Sequence, residues 1–133
     1  MGGIPASAAT STAAALDPRL IQTFASLVRA RWADARIYLF GSYSRGTASS
    51  DSDYDVVVVT SSFAVQRPIE RPVVLYGLWW EAGGRGISLD VHCYTSQEFR
   101  SQLRGLGYLG QARGRGELKE INIVSSSAAA PEL

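Results

Sequence analysis

Cysteine, methionine and histidine are almost missing from this chain of 133 residues, since each of them occurs only once. A single cysteine, Cys93, excludes an intramolecular disulfide, and we therefore expect a reducing, cytoplasmic location. No stretch approaches the roughly 18 continuous apolar residues of a membrane span, so we expect no membrane partner. The formal net charge is only +1, which argues against an extended nucleic-acid surface. Any polyanion that the chain binds must be held by a local site.

The size of the chain fits one domain, and its hydrophobic fraction of 46% is sufficient for a core. Residues 1–15 are rich in alanine, serine, threonine and glycine, but they lack the basic and apolar regions of a signal peptide. We predict a disordered leader at 1–15, a folded domain at 16–124 and a disordered tail at 125–133. We also expect no room for an additional domain that binds tRNA, DNA or an antibiotic.

Apolar spacing and capping residues predict six elements in the order helix, strand, strand, helix, strand, helix. They are a helix opening at Asp17-Pro18, strands at 37–40 and 54–60, a helix from Pro72 to Ala82 that Gly83-Gly84 ends, a strand at 87–94 and a helix opening at Thr95. Several glycines after Gly105 leave the end of the last helix open, and residues 118–124 suit either a strand or a short helix. The order predicts an α/β (α+β) fold, with a small mixed sheet flanked by helices.

Two aspartates stand at the head of the second strand. Asp53 and Asp55 flank Tyr54, and a spacing of two places both carboxylates on one face of the strand. At about 6–7 Å and an effective dielectric near 20, they repel each other by about 2–3 kcal/mol. A divalent metal would offset that repulsion, and hard oxygen ligands suit Mg²⁺. A polar turn before the strand explains the same residues equally well.

Three weaker signals accompany this pair. Gly41-Ser42 follows the first strand, where glycine permits close approach of a phosphate and serine adds a hydroxyl donor. Arg45 follows three residues later. Both signals are weak, because short Gly-Ser and Arg-Gly pairs end strands in many proteins. Asp90 lies within the third strand, either as a solvent-facing residue of an edge strand or as the third member of a carboxylate cluster.

The spacing of these residues resembles a known signature. Gly41-Ser42, ten intervening residues and then Asp53-Tyr54-Asp55 is similar to the GS-x10-DxD motif of the DNA polymerase β-like nucleotidyltransferases. Downstream, Leu89-Asp90-Val91 with the helix start at Glu98-Phe99 resembles the minimal nucleotidyltransferase (MNT) branch of that superfamily. The resemblance covers about residues 37–118 and implies the polymerase β-like fold.

The resemblance also implies roles for the aspartates. Asp53, Asp55 and Asp90 would be catalytic and would bind two Mg²⁺ ions that bridge the triphosphate of ATP or another nucleoside triphosphate. Asp90 would in addition place or deprotonate the attacking hydroxyl.

The nucleotide itself would be bound by Gly41, Ser42, Arg45 and Ser52. Tyr43 stands where many relatives carry a basic residue, which leaves phosphate contacts to Arg45 or to an arginine distant in sequence. The basic residues of the last third otherwise suit a solvated face, with a triphosphate contact as the alternative.

Four further residues have simpler interpretations. We expect His92 to be a partly exposed strand residue rather than a ligand, and Cys93 to face the core rather than to act as a nucleophile. Of Trp79 and Trp80, we expect one to face the core and the other a partner surface.

The resemblance implies transfer of AMP from ATP to a hydroxyl of a partner protein, as in MNT antitoxins that modify a HEPN-family toxin. Two alternatives remain: a binding module that neutralises its partner by contact alone, and an adenylyltransferase for a small, aminoglycoside-like molecule. The sequence leaves the base, the acceptor and the oligomeric state open.

Overall fold

A computed structural model describes residues 12–123 of the chain. The predicted tail and residues 1–11 of the predicted leader lie outside this range. Residues 12–15 also belong to the predicted leader, and here Ala13 forms a β-bridge with Ser49 while the Ala14 amide donates to the Ala48 carbonyl at 3.0 Å. Among residues 12–123, no helix is long and apolar enough to cross a membrane.

The described chain alternates between helices and short strands. In order, the elements are α1 (Pro18–Arg31), β1 (Arg36–Phe40), α2 (Gly41–Arg45), β2 (Tyr54–Val59), α3 (Arg71–Trp79), β3 (Leu89–Tyr94), α4 (Ser96–Arg104), α5 (Tyr108–Gly114) and β4 (Lys119–Glu120). Two 3-10 turns, Ser61–Val65 and Pro68–Glu70, precede α3, and a π-helical turn at Trp80–Gly84 follows it.

The four strands form one mixed sheet in the order β3-β2-β1-β4. Strand β1 is antiparallel to both β2 and β4, whereas β2 and β3 are parallel. The valine run Val56–Val59 of β2 is buried, because helices cover both faces of the sheet. The predicted mixed sheet flanked by helices is therefore confirmed.

Each face of the sheet packs against its own pair of helices. On one face, α1 and α3 meet through Phe24 and Trp79, whose rings contact edge to face at a centroid distance of 5.2 Å. On the other face, Phe99 of α4 and Leu109 of α5 pack against Tyr38 and its neighbours.

Side-chain caps determine where two of the described helices begin, α1 and α4. The Asp17 carboxylate accepts hydrogen bonds from the first turn of α1, and Thr95 and Glu98 form the predicted capping box of α4. The glycine-rich segment after Arg104 contains a separate short helix, α5. Residues Lys119–Glu120 form a strand, which decides between the two alternatives for 118–124.

Candidate active site

The sheet register places two of the three predicted aspartates side by side. Asp55 of β2 pairs with Asp90 of β3, on strands that lie about 4.8 Å apart. Asp53 lies two residues before Asp55 and is exposed at the entrance to β2. Since β3 is an edge strand, the Asp90 side chain is 51% exposed, in reach of both solvent and Asp55.

Gly41 lies directly against Asp55. Phe40, the last residue of β1, pairs with Asp55, and the chain then turns at Gly41 with a φ of 77°. A Cβ atom at Gly41 would stand 2.8 Å from Asp55 Cγ, closer than real side chains approach. Glycine is therefore required here by both the backbone angle and the proximity of the carboxylate.

The surroundings of Asp55 disfavour its negative charge. Burial, followed by the charges of Asp90 and Asp53, raises the pKa of Asp55 from 3.8 to about 6. His92 and Arg45 offset only part of this effect. The three aspartates therefore interact electrostatically even though only Asp55 is partly buried.

A cavity of about 130 Å³ connects this carboxylate with the predicted nucleotide-binding residues. Its lining comprises Phe40, Gly41, Ser42, Arg45, Asp55, Tyr108, Ala112, Arg115 and Glu117. Three of the four predicted nucleotide-binding residues thus lie together with Asp55.

Ser52 is the exception, since it lines a different cavity with Asp17 and Tyr43. Its hydroxyl accepts a hydrogen bond from the Ser49 amide at 2.9 Å and so holds the turn before β2. Tyr43 stacks on Tyr54 at a centroid distance of 3.9 Å, which gives this position a packing role instead of a phosphate contact.

The segment after α5 adds residues that sequence reasoning did not single out. Arg115 and Glu117 line the cavity that contains Asp55. The Glu117 carboxylate accepts hydrogen bonds from both Arg45 and Arg115. Their only sequence signal is the general basic bias of the last third. Tyr108, 69% exposed, lies at the rim with its ring edge-on to Phe40.

The nearby histidine and cysteine differ in their environments. His92 Nε2 lies 3.5 Å from Asp90 Oδ2 and is buried without a hydrogen-bond partner among the described residues. Burial raises the pKa of the Cys93 thiol to about 12, so this cysteine is not an activated nucleophile. Trp79 is buried, as expected of one residue of the pair, and Trp80 is 58% exposed.

The aspartates fit a divalent metal by the chemistry of their donors. Three carboxylates beside a backbone without Cβ provide hard oxygen ligands and room for a cation, and the charges of two of them contribute to the raised pKa of the third, Asp55. In residues 12–123, however, no three acidic, histidine or cysteine side chains converge closely enough to hold an ion as they stand. Joint coordination by all three would require Asp53 and Asp90 to turn toward Asp55.

Comparisons with known proteins identify one family. The family model for a nucleotidyltransferase domain matches residues 21–121, well over half of the chain. No curated protein matches the sequence.

Two solved structures resemble the fold. One is a protein of Sulfolobus solfataricus provisionally named a nucleotidyltransferase, with 18% identity, a TM-score of 0.50, and coverage of 65% of this chain and 73% of that one. The other is a toxin-antitoxin structure with AMP-PNP, with 23% identity, a TM-score of 0.49, and coverage of 84% and 77%.

Proposed function

Because this chain belongs to the nucleotidyltransferase domain family, we propose that it transfers AMP from ATP to a hydroxyl group, with Asp53, Asp55 and Asp90 as catalytic residues. The observation that carries the proposal is the pairing of Asp55 with Asp90 directly beside Gly41. A structural role alone does not account for two adjacent carboxylates, one of them partly buried.

The proposed step forms a bond between the acceptor oxygen and the α-phosphorus of ATP, and breaks the bond from that phosphorus to the bridging oxygen, so that pyrophosphate leaves. Asp90 is half exposed and can accept the acceptor proton, while Gly41 and Ser42 allow the phosphates to approach the backbone. Bound Mg²⁺ would offset the charge on the attacking and leaving oxygens. Asp53 and Asp55 would hold it.

We further propose a protein as acceptor, with the chain acting as an MNT-type antitoxin on a HEPN-like partner. The outer side of α3 and of the turns before and after it exposes Ile69, Val73, Tyr76 and Trp80 at helical spacing. Exposed apolar surface of this kind is typical of protein interaction sites. Burial, followed by the negative charge of Asp90, raises the pKa of Tyr76, so this surface adjoins the carboxylates.

Intact mass measurement tests this function. The chain is incubated with ATP, Mg²⁺ and a candidate partner, and we expect one adenylyl group to be added to the partner. An unmodified partner in a stable complex would favour the binding module, and transfer to an aminoglycoside would favour the small-molecule enzyme.

The Asp90→Asn variant separates chemistry from binding in the same assay. We expect turnover to fall by several orders of magnitude while triphosphate affinity stays within about tenfold of wild type. Unchanged turnover would show that Asp90 has no part in the chemistry and is only a solvent-facing residue of an edge strand.

A further inference from the structure

Two arginines from distant parts of the sequence meet at one carboxylate inside the candidate cavity. Glu117 Oε1 accepts from Arg45 at 3.3 Å, and Glu117 Oε2 accepts from Arg115 Nε at 2.9 Å. The Glu117 side chain is only 14% exposed, whereas those of Arg45 and Arg115 are 42% and 54% exposed. The three residues share the cavity with Gly41 and Asp55.

The backbone around Glu117 is attached to the helices on either side. The Ser44 hydroxyl donates to the Glu117 carbonyl at 2.5 Å, and the Glu117 amide donates to the Ala112 carbonyl at 2.9 Å. Lys119 Nζ also donates to the Ser44 carbonyl at 2.9 Å. These contacts fix the position of the segment after α5 relative to α2, and hence relative to Gly41.

The guanidiniums retain donors for a ligand. Arg45 uses one terminal nitrogen for Glu117, and its Nε and second terminal nitrogen have no hydrogen-bond partner in residues 12–123. Arg115 uses Nε and one terminal nitrogen, and its other terminal nitrogen has no partner within the described part of the chain. Guanidiniums with free donors in a cavity are suited to phosphate oxygens.

We propose that Arg115 joins the predicted nucleotide contact Arg45 in binding the β- and γ-phosphates of the nucleoside triphosphate, and that the negative charge of Glu117 competes with these phosphates for the two guanidiniums. This inference rests on the proposed function, because it assigns a subsite to the same nucleotide. It also supplies the arginine that the absence of a basic residue at position 43 requires.

The charges of these three residues predict how a substitution of Glu117 changes the affinity for the triphosphate. The two guanidiniums carry two positive charges, and the Glu117 carboxylate offsets one of them, so it weakens their attraction for phosphate. Replacing Glu117 with glutamine keeps an acceptor of similar shape but removes the negative charge, and the triphosphate then binds more tightly. If Glu117 served only to hold the arginines in place, the same change would weaken binding.

Calorimetric titration of the full chain with Mg²⁺ and a non-hydrolysable ATP analogue tests the subsite, with AMP as the second ligand. We expect Arg115→Gln to weaken triphosphate binding roughly tenfold and AMP binding less than about twofold, since AMP lacks the β- and γ-phosphates. Glu117→Gln should tighten triphosphate binding several-fold. The matched control is Arg113→Gln, which removes the same charge from an exposed position of α5 outside the cavity, and it should bind like wild type.

Equal affinity of Arg115→Gln and Arg113→Gln for the triphosphate would overturn the subsite while leaving the proposed function intact. Weaker binding by Glu117→Gln would overturn the role of Glu117 as a competitor of the phosphates. A wild-type chain that binds no triphosphate would overturn both the subsite and the proposed function.

Discussion

At the scale of single residues, Gly41 and Asp55 depend on each other. The carboxylate occupies the space where any other residue at position 41 would place its Cβ atom, and the positive φ excludes most side chains independently. Gly46, at a φ of 80°, has the same backbone requirement, but a Cβ atom there would have no neighbouring atom within 4 Å. A comparison of alanine variants at the two positions therefore separates the effect of backbone strain from the effect of displacing the Asp55 carboxylate.

We expect Gly46→Ala to lose about 1 kcal/mol of stability and Gly41→Ala at least as much, because both force alanine into a left-handed conformation and only the methyl group at position 41 also clashes with Asp55. Only Gly41→Ala should also lose Mg²⁺-dependent binding of ATP, since only there does the new methyl group displace Asp55. Urea denaturation and calorimetric titration measure the two effects. Equal nucleotide binding by both variants would show that the contact with Asp55 has no functional importance.

The raised pKa of Asp55 has a consequence for stability. Between about pH 4 and pH 6 the folded chain holds a proton that the unfolded chain has released, so the free energy of unfolding falls as pH rises through this window. Asp55→Asn cannot ionise. Without divalent metal, we expect it to be more stable than wild type by about 1–2 kcal/mol at pH 7.5, after allowance for solvent screening, and nearly equal at pH 4.

Urea denaturation in EDTA at the two pH values measures this difference. Asp51→Asn, which changes an exposed aspartate of the preceding loop, is the control and should track wild type at both. A stabilisation by Asp55→Asn that is the same at pH 4 and pH 7.5 would show that charge is not its cause.

At the scale of elements, Arg71 joins three parts of the fold. Its guanidinium, with a side chain only 6% exposed, donates to the Glu98 carboxylate of α4 at 2.7 Å and to the Cys93 carbonyl of β3 at 3.2 Å. It also lies over the Phe63 ring, 5.7 Å from its centroid. The start of α3 is thereby held against the edge strand that carries Asp90.

We expect Arg71→Ala to reduce the free energy of unfolding by about 2–3 kcal/mol, because it removes a buried partner from Glu98 and from a main-chain carbonyl. Arg67→Ala breaks the exposed pair with Glu70, whose side chains are 77% and 51% exposed, and should cost less than about 1 kcal/mol. Urea denaturation of both variants gives the comparison. Equal losses would contradict a linking role for Arg71.

Sequence reasoning succeeded where the signal is local. The cap at Asp17, the capping box at Thr95 and the valine run of β2 each depend on a few neighbouring residues, and all three are confirmed. The two-residue strand β4 is held by long-range pairing with β1, and its own sequence also suited a helix. Its assignment therefore required the tertiary structure.

At the scale of the whole molecule, the site combines segments that only folding brings together. The order of Gly41, Asp53, Asp55 and Asp90 along predicted strands was readable from the sequence. The pairing of Asp55 with Asp90 depends on which strands are parallel neighbours, and the approach of Arg115 to Arg45 depends on the return of the chain after α5. The spacing of residues in the sequence predicts neither the pairing of the two aspartates nor the approach of the two arginines.

The central claim is that Asp53 and Asp55 form a metal-dependent site for a nucleoside triphosphate. Thermal unfolding tests it most directly, with Mg²⁺ alone, a non-hydrolysable ATP analogue alone, and both together. We predict that Mg²⁺ and the analogue together stabilise wild type by about 2.7 kcal/mol at a hundredfold excess over Kd, which is more than the sum of their separate effects. Asp53→Asn combined with Asp55→Asn should lose this stabilisation. The same metal-dependent rise in melting temperature in the double variant would contradict the claim.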